Sequence, residues 1–158
     1  MYLAAMTPEE KLEELGLSLP EAPSPVAAYV PAVRTGDLIF VSGQVPFKDG
    51  ALSTTGRVPD EVDPDTAADA ARTCALNALA VLAAQLEEGL CQVEQIVRLG
   101  VFVQSDAGFG GQPAIANGAS ELMVQVFGDA GRHARAAVGS VALPLNATVE
   151  VELLARVR

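Results

Sequence analysis

Two predicted β-strands and the most informative charged residues share one stretch, residues 133–157: HARAAVGSVALPLNATVEVELLARV. Small and β-branched residues predict strands at about Ala136 to Ala142 and Thr148 to Val157. The connection Leu143-Pro144-Leu145-Asn146 contains the proline and asparagine that favour a turn. We therefore expect the chain to end in two strands joined by a short turn.

Arg135 directly precedes the first of these predicted strands and is followed by two alanines. If the two strands pair, Glu150 returns close to it. Arginine is a natural clamp for a carboxylate, because its planar guanidinium makes two parallel charge-assisted hydrogen bonds. A surface arginine paired with an acid would leave the same pattern. His133 can share a strand face with Arg135, but a solvated loop histidine also fits, and we assign it no role.

Outward from this stretch, the sequence predicts the order ββαβαββ with a short helix in front. Apolar residues three and four apart indicate helices, and alternation indicates strands. In chain order we predict strands at Ala27 to Arg34 and Asp37 to Ser42, a loop from Gly43 to Asp63, a helix from about Pro64 to Glu88, a strand in which Val97, Leu99, Val101 and Val103 alternate, and a helix marked by Ile115, Ala119, Leu122 and Val126. Gly89 and Gly128 are placed to end the two helices.

The chain of 158 residues suits one domain. We divide it into an N-terminal helix and linker, residues 1–24, and a single domain, residues 25–158. Thr7, Pro8 and Glu10 form a capping box that opens the N-terminal helix. Three prolines between Leu19 and Pro25 indicate a linker across the surface.

One face of the predicted sheet lacks a cover. Two long helices can cover only one face, yet several strands are apolar on both, as in Leu38-Ile39-Phe40-Val41. Pro31 places the first strand at an edge or rim. No further element remains to bury the second face, so we predict self-association.

The charge balance argues against a nucleic-acid partner. Acidic residues outnumber basic ones by 20 to 10, which gives a net charge of −10 and repels phosphate backbones. No run of 18 apolar residues occurs, so we expect no membrane span. The N-terminus turns acidic too soon for a signal peptide, and we expect a cytoplasmic protein.

The sequence calls for no metal and no cofactor. Cys74 and Cys91 do not have the spacing of a metal or redox motif, and the chain has one histidine. We expect both cysteines to be reduced, buried thiols.

Several motifs, in order, resemble the Rid family, the reactive intermediate deaminases also called YjgF-like or RidA-like and formerly endoribonuclease L-PSP. Val41-Ser42-Gly43-Gln44-Val45-Pro46 is similar to a family segment after the second strand, and Val101-Phe102-Val103 to its third-strand segment. Ala134-Arg135 with Val138, Leu143-Pro144 and Val149-Glu150-Val151-Glu152 resembles the C-terminal signature. Asn117 fits a family asparagine. The similarity runs from about Tyr29 to the C-terminus, and the longer N-terminus resembles a less studied branch.

The resemblance implies a chorismate-mutase-like fold with a mixed sheet, and a homotrimer with three sites at subunit interfaces. It also implies hydrolysis of enamines and imines, such as 2-iminobutanoate and 2-iminopropanoate, to 2-oxo acids and ammonia. A non-catalytic sensor of small carboxylates on the same trimer is an alternative. A third is the family's older label, endoribonuclease and translation inhibitor, which the net charge opposes.

The resemblance also assigns roles to individual residues. Arg135 would hold the substrate carboxylate, and Glu150 would position or activate water. Gly43 would present backbone groups, Tyr29 would wall the pocket from a neighbouring chain, and Asn117 is a further binding candidate. Ala137 would lie in the pocket where the best-known members have cysteine. Two more alanines depart from the family: Ala136, where serine or threonine is usual, and Ala28, where a proline commonly precedes the tyrosine.

Overall fold

A five-stranded mixed sheet with two long helices on one face forms the body of the protein, in a computed structural model that describes residues 6–24 and 27–158. In chain order the helices and strands are α1 (Pro8–Glu14), β1 (Ala32–Thr35), β2 (Leu38–Gln44), β3 (Phe47–Lys48), β4 (Ala51–Leu52), α2 (Pro64–Ala84), β5 (Val93–Gln104), α3 (Gln112–Phe127), β6 (Ala134–Ser140) and β7 (Val149–Val157). The sheet order is β1-β2-β7-β5-β6, and β3 and β4 form a separate hairpin. The predicted fold class and element order are confirmed.

Strand β5 separates β6, which carries Arg135, from β7, which carries Glu150. It pairs with β6 in parallel and with β7 antiparallel. The expectation that the two C-terminal strands pair is therefore wrong. The connection Pro144–Asn146 carries the chain past β5, and Glu150 does not return beside Arg135 on a neighbouring strand.

The helices α2 and α3 bury an aliphatic core against one face of the sheet. The alternation predicted for β5 holds at Leu99, Val101 and Val103, which are fully buried. It fails at Val97, because the pairing of β5 with β7 shifts register between Ile96 and Arg98. This bulge turns Ile96 into the core in place of Val97.

The sheet face opposite the helices, called the open face below, exposes apolar side chains. Val33 pairs with Phe40 and Phe40 with Leu154 across β1, β2 and β7. Phe102 pairs with Val138 across β5 and β6. Phe40 is 47% exposed, and Val33 and Val138 are exposed to a similar degree. A soluble chain seldom leaves large apolar side chains in rows without a cover.

Several predicted boundaries shift. The strand predicted at Ala136 to Ala142 runs from Ala134 to Ser140, and the second strand extends to Gln44, so Gly43 lies in β2 rather than in the predicted loop. The first strand begins at Ala32 rather than Ala27, because residues 27–29 form a bend. Ser42 of β2 holds the segment that precedes β1. Its N–H donates a hydrogen bond to the Pro31 carbonyl, and its hydroxyl donates one to the Val30 carbonyl. The long helix ends at Ala84, before Glu88, with Gln85 as its C-cap. Gly89, with φ of 61°, opens a short 3-10 turn instead of ending the helix.

The N-terminal helix α1 packs onto the domain. Its capping box is confirmed, with Thr7 and Glu10 each bonded to the other's backbone N–H. Leu12 is buried in the core, and Glu9 accepts a hydrogen bond from the Leu90 N–H at 2.7 Å. The predicted linker lies on the surface up to Ser24, whereas Pro25 falls outside the described residues.

Both cysteines are free, as predicted. Cys74 is fully buried, and burial, with a smaller contribution from Glu150, raises the pKa of its thiol well above the ordinary value. Cys91 is only partly buried, so that part of the prediction is wrong. It stands on the surface 3-10 turn Gly89–Gln92, where its sulfur lies 3.6 Å from the Glu9 carboxylate.

Among the described residues, one helix is long and apolar enough to span a membrane by length and composition. It is α2, and 61% of its most apolar window is buried inside the fold. The sequence analysis predicted this helix and expected no membrane span. Its apolar residues face the sheet and α3, as those of a core helix do.

Candidate active site

The Arg135 side chain extends from β6 over α3. Its Nη1 donates hydrogen bonds to Asn117 Oδ1 at 2.9 Å and to Ser120 Oγ at 3.1 Å. Asn117 and Ser120 are three residues apart on α3, so their side chains lie on the same face of the helix. The two helix residues therefore fix the direction of the guanidinium.

The rest of the guanidinium is free to bind a ligand. Nη1 carries both contacts, and no protein partner of Nε or Nη2 is found among the described residues. None of the ion pairs within the described part of the chain includes Arg135. Nε–H and one Nη2–H point the same way, forming the planar fork that matches the two oxygens of a carboxylate. Arg135 therefore has the geometry of an anion clamp rather than of a surface ion pair.

A histidine stands behind this clamp. The Ser120 Oγ lies 2.9 Å from His133 Nε2, and His133 Nδ1 lies 2.6 Å from the Gly131 carbonyl oxygen. A carbonyl only accepts, so Nδ1 carries the hydrogen of that bond. His133 is therefore held by the fold on both sides of its ring, and is not a freely solvated loop residue.

A second group forms where β2 and β7 meet. The pairing of these strands shifts register between Val41 and Gln44, leaving two residues of β2 opposite one of β7. A Cβ at Gly43 would overlap the Glu150 carboxylate, so only glycine lets the carboxylate approach the backbone so closely. Burial, and then the neighbouring charge of Glu152, raise the pKa of Glu150. A carboxylate with a raised pKa is a stronger base than an ordinary one.

Within one chain, these two groups are separate. Arg135 pairs with Leu99 and Leu99 with Leu153, on the helix side of the sheet. Glu150 pairs with Phe102 on the open face. We call Arg135 with Asn117 and Ser120 the arginine half-site, and Gly43 with Glu150 the glutamate half-site.

The remaining predicted residues divide between the halves. Ala137 lies two residues after Arg135 on β6, half-buried against the core. Tyr29 is 61% exposed on the bend before β1, at the other side of the sheet from β6. The sequence analysis predicted Arg135, Asn117, Gly43 and Glu150, but it missed Ser120. The spacing of Asn117 and Ser120 on α3, together with that of His133 and Arg135, was the available signal.

Among the described residues, the best-formed cleft and the region around Arg135 are in different places. A cleft of about 550 Å³ lies elsewhere, lined by the turn after α1, β3 and α2, and contains none of the predicted site residues. In the part of the chain that the structure describes, no three His, Cys, Asp or Glu side chains are placed to hold a metal ion.

Fold and side-chain geometry together define a small α+β protein, with helices on one face of a mixed sheet and Arg135, fixed by Asn117 and Ser120, at the sheet edge. The family model described as "YjgF/chorismate mutase-like, putative endoribonuclease" matches residues 9–157. The chain belongs to this YjgF-like family, which confirms the resemblance found in the sequence.

Three proteins illustrate what the chain is similar to. Protein TCP17 of Trypanosoma cruzi is 42% identical over 144 residues, which cover 90% of this chain and 89% of that protein. The crystal structure of Atu1372 from Agrobacterium tumefaciens, a protein of unknown function, superposes with a TM-score of 0.90. It is 42% identical, and the match covers 96% of this chain and 92% of that one. The 2-iminobutanoate/2-iminopropanoate deaminase of Dermatophagoides farinae is 28% identical over 137 residues, or 86% of this chain and 91% of that protein.

Proposed function

We propose that this protein hydrolyses 2-imino acids to 2-oxo acids and ammonia. The observation that carries the proposal is the planar fork of Arg135, formed by Nε and Nη2, which has no protein partner among the described residues. Asn117 and Ser120 fix the guanidinium through Nη1 alone. Every 2-imino acid has a carboxylate next to the reacting carbon, so a carboxylate clamp places the C=N group within the site. The relative named as a 2-iminobutanoate/2-iminopropanoate deaminase supports the same chemistry.

The complete site would be formed by two subunits of a homotrimer. Within one chain, strand β5 lies between the strands that carry the two half-sites, and the half-sites lie on opposite faces of the sheet. It also leaves apolar side chains uncovered on the open face. Association that covers this face would bring the arginine half-site of one chain to the glutamate half-site of its neighbour. Tyr29, exposed beside β1, would then wall the pocket from that neighbour, and Ala137 would leave room beside the ligand.

Glu150 would act on water within this pocket. As the water oxygen bonds to the imine carbon, one of its protons must leave. The Glu150 carboxylate, a stronger base than an ordinary glutamate because of burial and Glu152, would take that proton. The backbone of Gly43 lies against this carboxylate and would face the ligand with it.

The direct test generates 2-iminobutanoate from threonine with a threonine dehydratase and follows release of 2-oxobutanoate. We expect the protein to raise the rate of release above that of spontaneous hydrolysis. For Arg135→Ala in the same assay, the matched control is Arg132→Ala. Arg132 lies three residues from Arg135, is exposed and pairs only with Asp129 among the described acids. Release at the spontaneous rate, on this and other imino acids, would contradict the enzyme and favour a sensor of small carboxylates.

The trimer has its own test in light scattering. At micromolar concentration we expect a mass three times the 16.3 kDa of the chain. Phe40→Asp should yield monomers, because it sets a charge in the middle of the apolar row on the open face. Met6→Asp, an equal change in charge at an exposed residue before α1, should leave the trimer intact. A monomer mass for the parent would remove both the trimer and the shared site.

RNA cleavage, the activity in the family's older label, is less compatible with this chain. The net charge of −10 repels a phosphate backbone. Arg57, Arg98, Arg132 and Arg156 are each already paired with an acid. We therefore propose a small carboxylate, rather than RNA, as the ligand of Arg135.

A further inference from the structure

The cleft of about 550 Å³ between the turn after α1, the hairpin of β3 and β4, and helix α2 is called the α2 cleft below. Small-molecule sites commonly have volumes of about 300–1,000 Å³. The α2 cleft contains no residue of the arginine or glutamate half-site. It lies on the helix side of the sheet, because α2 packs there against β2 and β7, so association over the open face would leave it accessible. The cleft is therefore a candidate for a second site with a ligand of its own.

Two basic side chains, Lys48 and Arg72, line this cleft without a protein partner. The chain has ten arginines and lysines. The other eight each make an ion pair or a side-chain hydrogen bond: Lys11, Arg34, Arg57, Arg98, Arg132, Arg135, Arg156 and Arg158. Neither kind of partner is found for Lys48 or Arg72 among the described residues. Because acids outnumber bases two to one in this chain, two unpaired cations in one cleft indicate a ligand with a negative group.

Two carboxylates line the same cleft, and they do not neutralise these cations. Asp69 lies three residues before Arg72 on α2, a spacing that favours an ion pair on a helix, and Asp49 directly follows Lys48. Neither pair is among the ion pairs of the described part of the chain. The cleft thus presents separate positive and negative groups. Its two acids would repel a doubly charged phosphate, whereas a ligand with one charge of each sign matches both kinds of group.

Apolar side chains form another part of the wall. Leu17 and Leu76 are half-buried against the core, and Phe47 is 44% exposed. Asn77 ties the hairpin to α2, because its Nδ2 donates hydrogen bonds to the Val45 and Phe47 carbonyls at 3.0 Å each. The wall that faces the charged groups is therefore held in place, and it suits a ligand with an apolar side chain.

We propose that the α2 cleft binds an α-amino acid with an apolar side chain. The carboxylate and ammonium groups of an α-amino acid are attached to one carbon, and Asp69 and Arg72 are neighbours on one face of α2. Arg72 holds the carboxylate with its planar fork, and Lys48 adds positive charge from the hairpin. Asp69 accepts from the ammonium group. The ligand side chain packs against the apolar wall. Binding involves no covalent step and does not depend on hydrolysis of imines at Arg135.

The test is titration calorimetry of the full chain with L-leucine and three analogues. Leucinamide lacks the carboxylate, 4-methylpentanoate lacks the ammonium group, and glycine keeps both charges but lacks the apolar side chain. We expect leucine to bind and each analogue to bind about 10-fold or more weakly than leucine. Each analogue loses either charge-assisted hydrogen bonds or the apolar contact.

Two variants locate the ligand in the cleft. Arg72→Gln and Asp69→Asn should each weaken leucine binding by about 10-fold or more, and both substitutions lie outside the buried core. The matched controls are Arg132→Gln, an exposed arginine outside the cleft, and Asp65→Asn, an exposed acid four residues before Asp69 on the same helix. Both controls should bind leucine as the parent does. Arg135→Ala should also keep the parent affinity, because Arg135 is not part of the cleft.

Several results would overturn the proposal. Absence of leucine binding by the parent at millimolar concentration would remove the amino-acid site. If 4-methylpentanoate bound as tightly as leucine, the acids of the cleft would have no part in recognition and the ligand would be a simple anion. An affinity that survives both Arg72→Gln and Asp69→Asn places leucine elsewhere, and its loss in Arg135→Ala would assign leucine to the arginine half-site. The proposed hydrolysis of 2-imino acids is measured separately, by release of 2-oxobutanoate, so either proposal can fail while the other stands.

Discussion

Replacing Arg135 by alanine is expected to weaken the binding of 2-oxobutanoate by about 30-fold or more. Truncating one partner of a desolvated, hydrogen-bonded charge pair costs about 2–5 kcal/mol. The fork of Nε and Nη2 supplies two such bonds to a carboxylate, and Asn117 and Ser120 direct it through Nη1. Titration calorimetry with 2-oxobutanoate on the parent and the variant measures the loss directly.

Two further variants separate geometry from charge in this experiment. Arg135→Lys keeps the positive charge but loses the planar fork, so we expect it to recover only part of the affinity. Arg132→Ala removes an equal charge three residues away and should bind as the parent does. An unchanged affinity in a folded Arg135→Ala protein would place the carboxylate site elsewhere in the molecule.

Replacing Glu150 by glutamine is expected to lower the rate of imine hydrolysis by about 10²–10⁴, the usual cost of removing a general base. Glutamine keeps the size and the hydrogen-bonding capacity of the side chain but not the basic carboxylate. Affinity for 2-oxobutanoate should be unchanged or tighter, because a negative charge near the ligand carboxylate is removed. Single-turnover rates on 2-iminobutanoate and calorimetry on 2-oxobutanoate together test this.

The pH profile gives an independent check on Glu150. The carboxylate form is the active base, so the rate rises with pH through the pKa of Glu150. Burial and Glu152 raise that pKa, so the acid limb should lie above the pH at which an ordinary glutamate ionises. Glu94→Gln, an exposed acid on β5 paired with Arg156, is the control and should keep the parent profile. A Glu150→Gln protein as fast as the parent would keep the enzyme and remove Glu150 from its mechanism.

The sequence by itself determined the elements of the fold. Helix α3 was predicted from apolar residues three and four apart and from Gly128, because helical periodicity and a C-cap glycine are local properties of the chain. The capping box at Thr7 and Glu10 is equally local. The motifs around Gly43, Arg135 and Glu150 were sufficient for the family, since they are read directly from residue order.

Only the tertiary structure decided which residues share a site. Strand order is set by packing between distant elements, and local sequence does not encode that β5 inserts between β6 and β7. The face to which Glu150 points depends on register, and a change of one residue in register exchanges the two faces of a strand. For this reason the sequence placed Glu150 beside Arg135, whereas the folded chain separates them.

The position of His133 shows the same division. Its spacing from Arg135 suggests a shared face, but only the approach of α3 brings Ser120 between the two side chains. The sequence thus determined which groups could bind a carboxylate and move a proton, because residue type decides that chemistry. The tertiary structure decided which of those groups meet, because hydrogen bonds form only between atoms that the packing of α3 on β6 brings within about 3 Å.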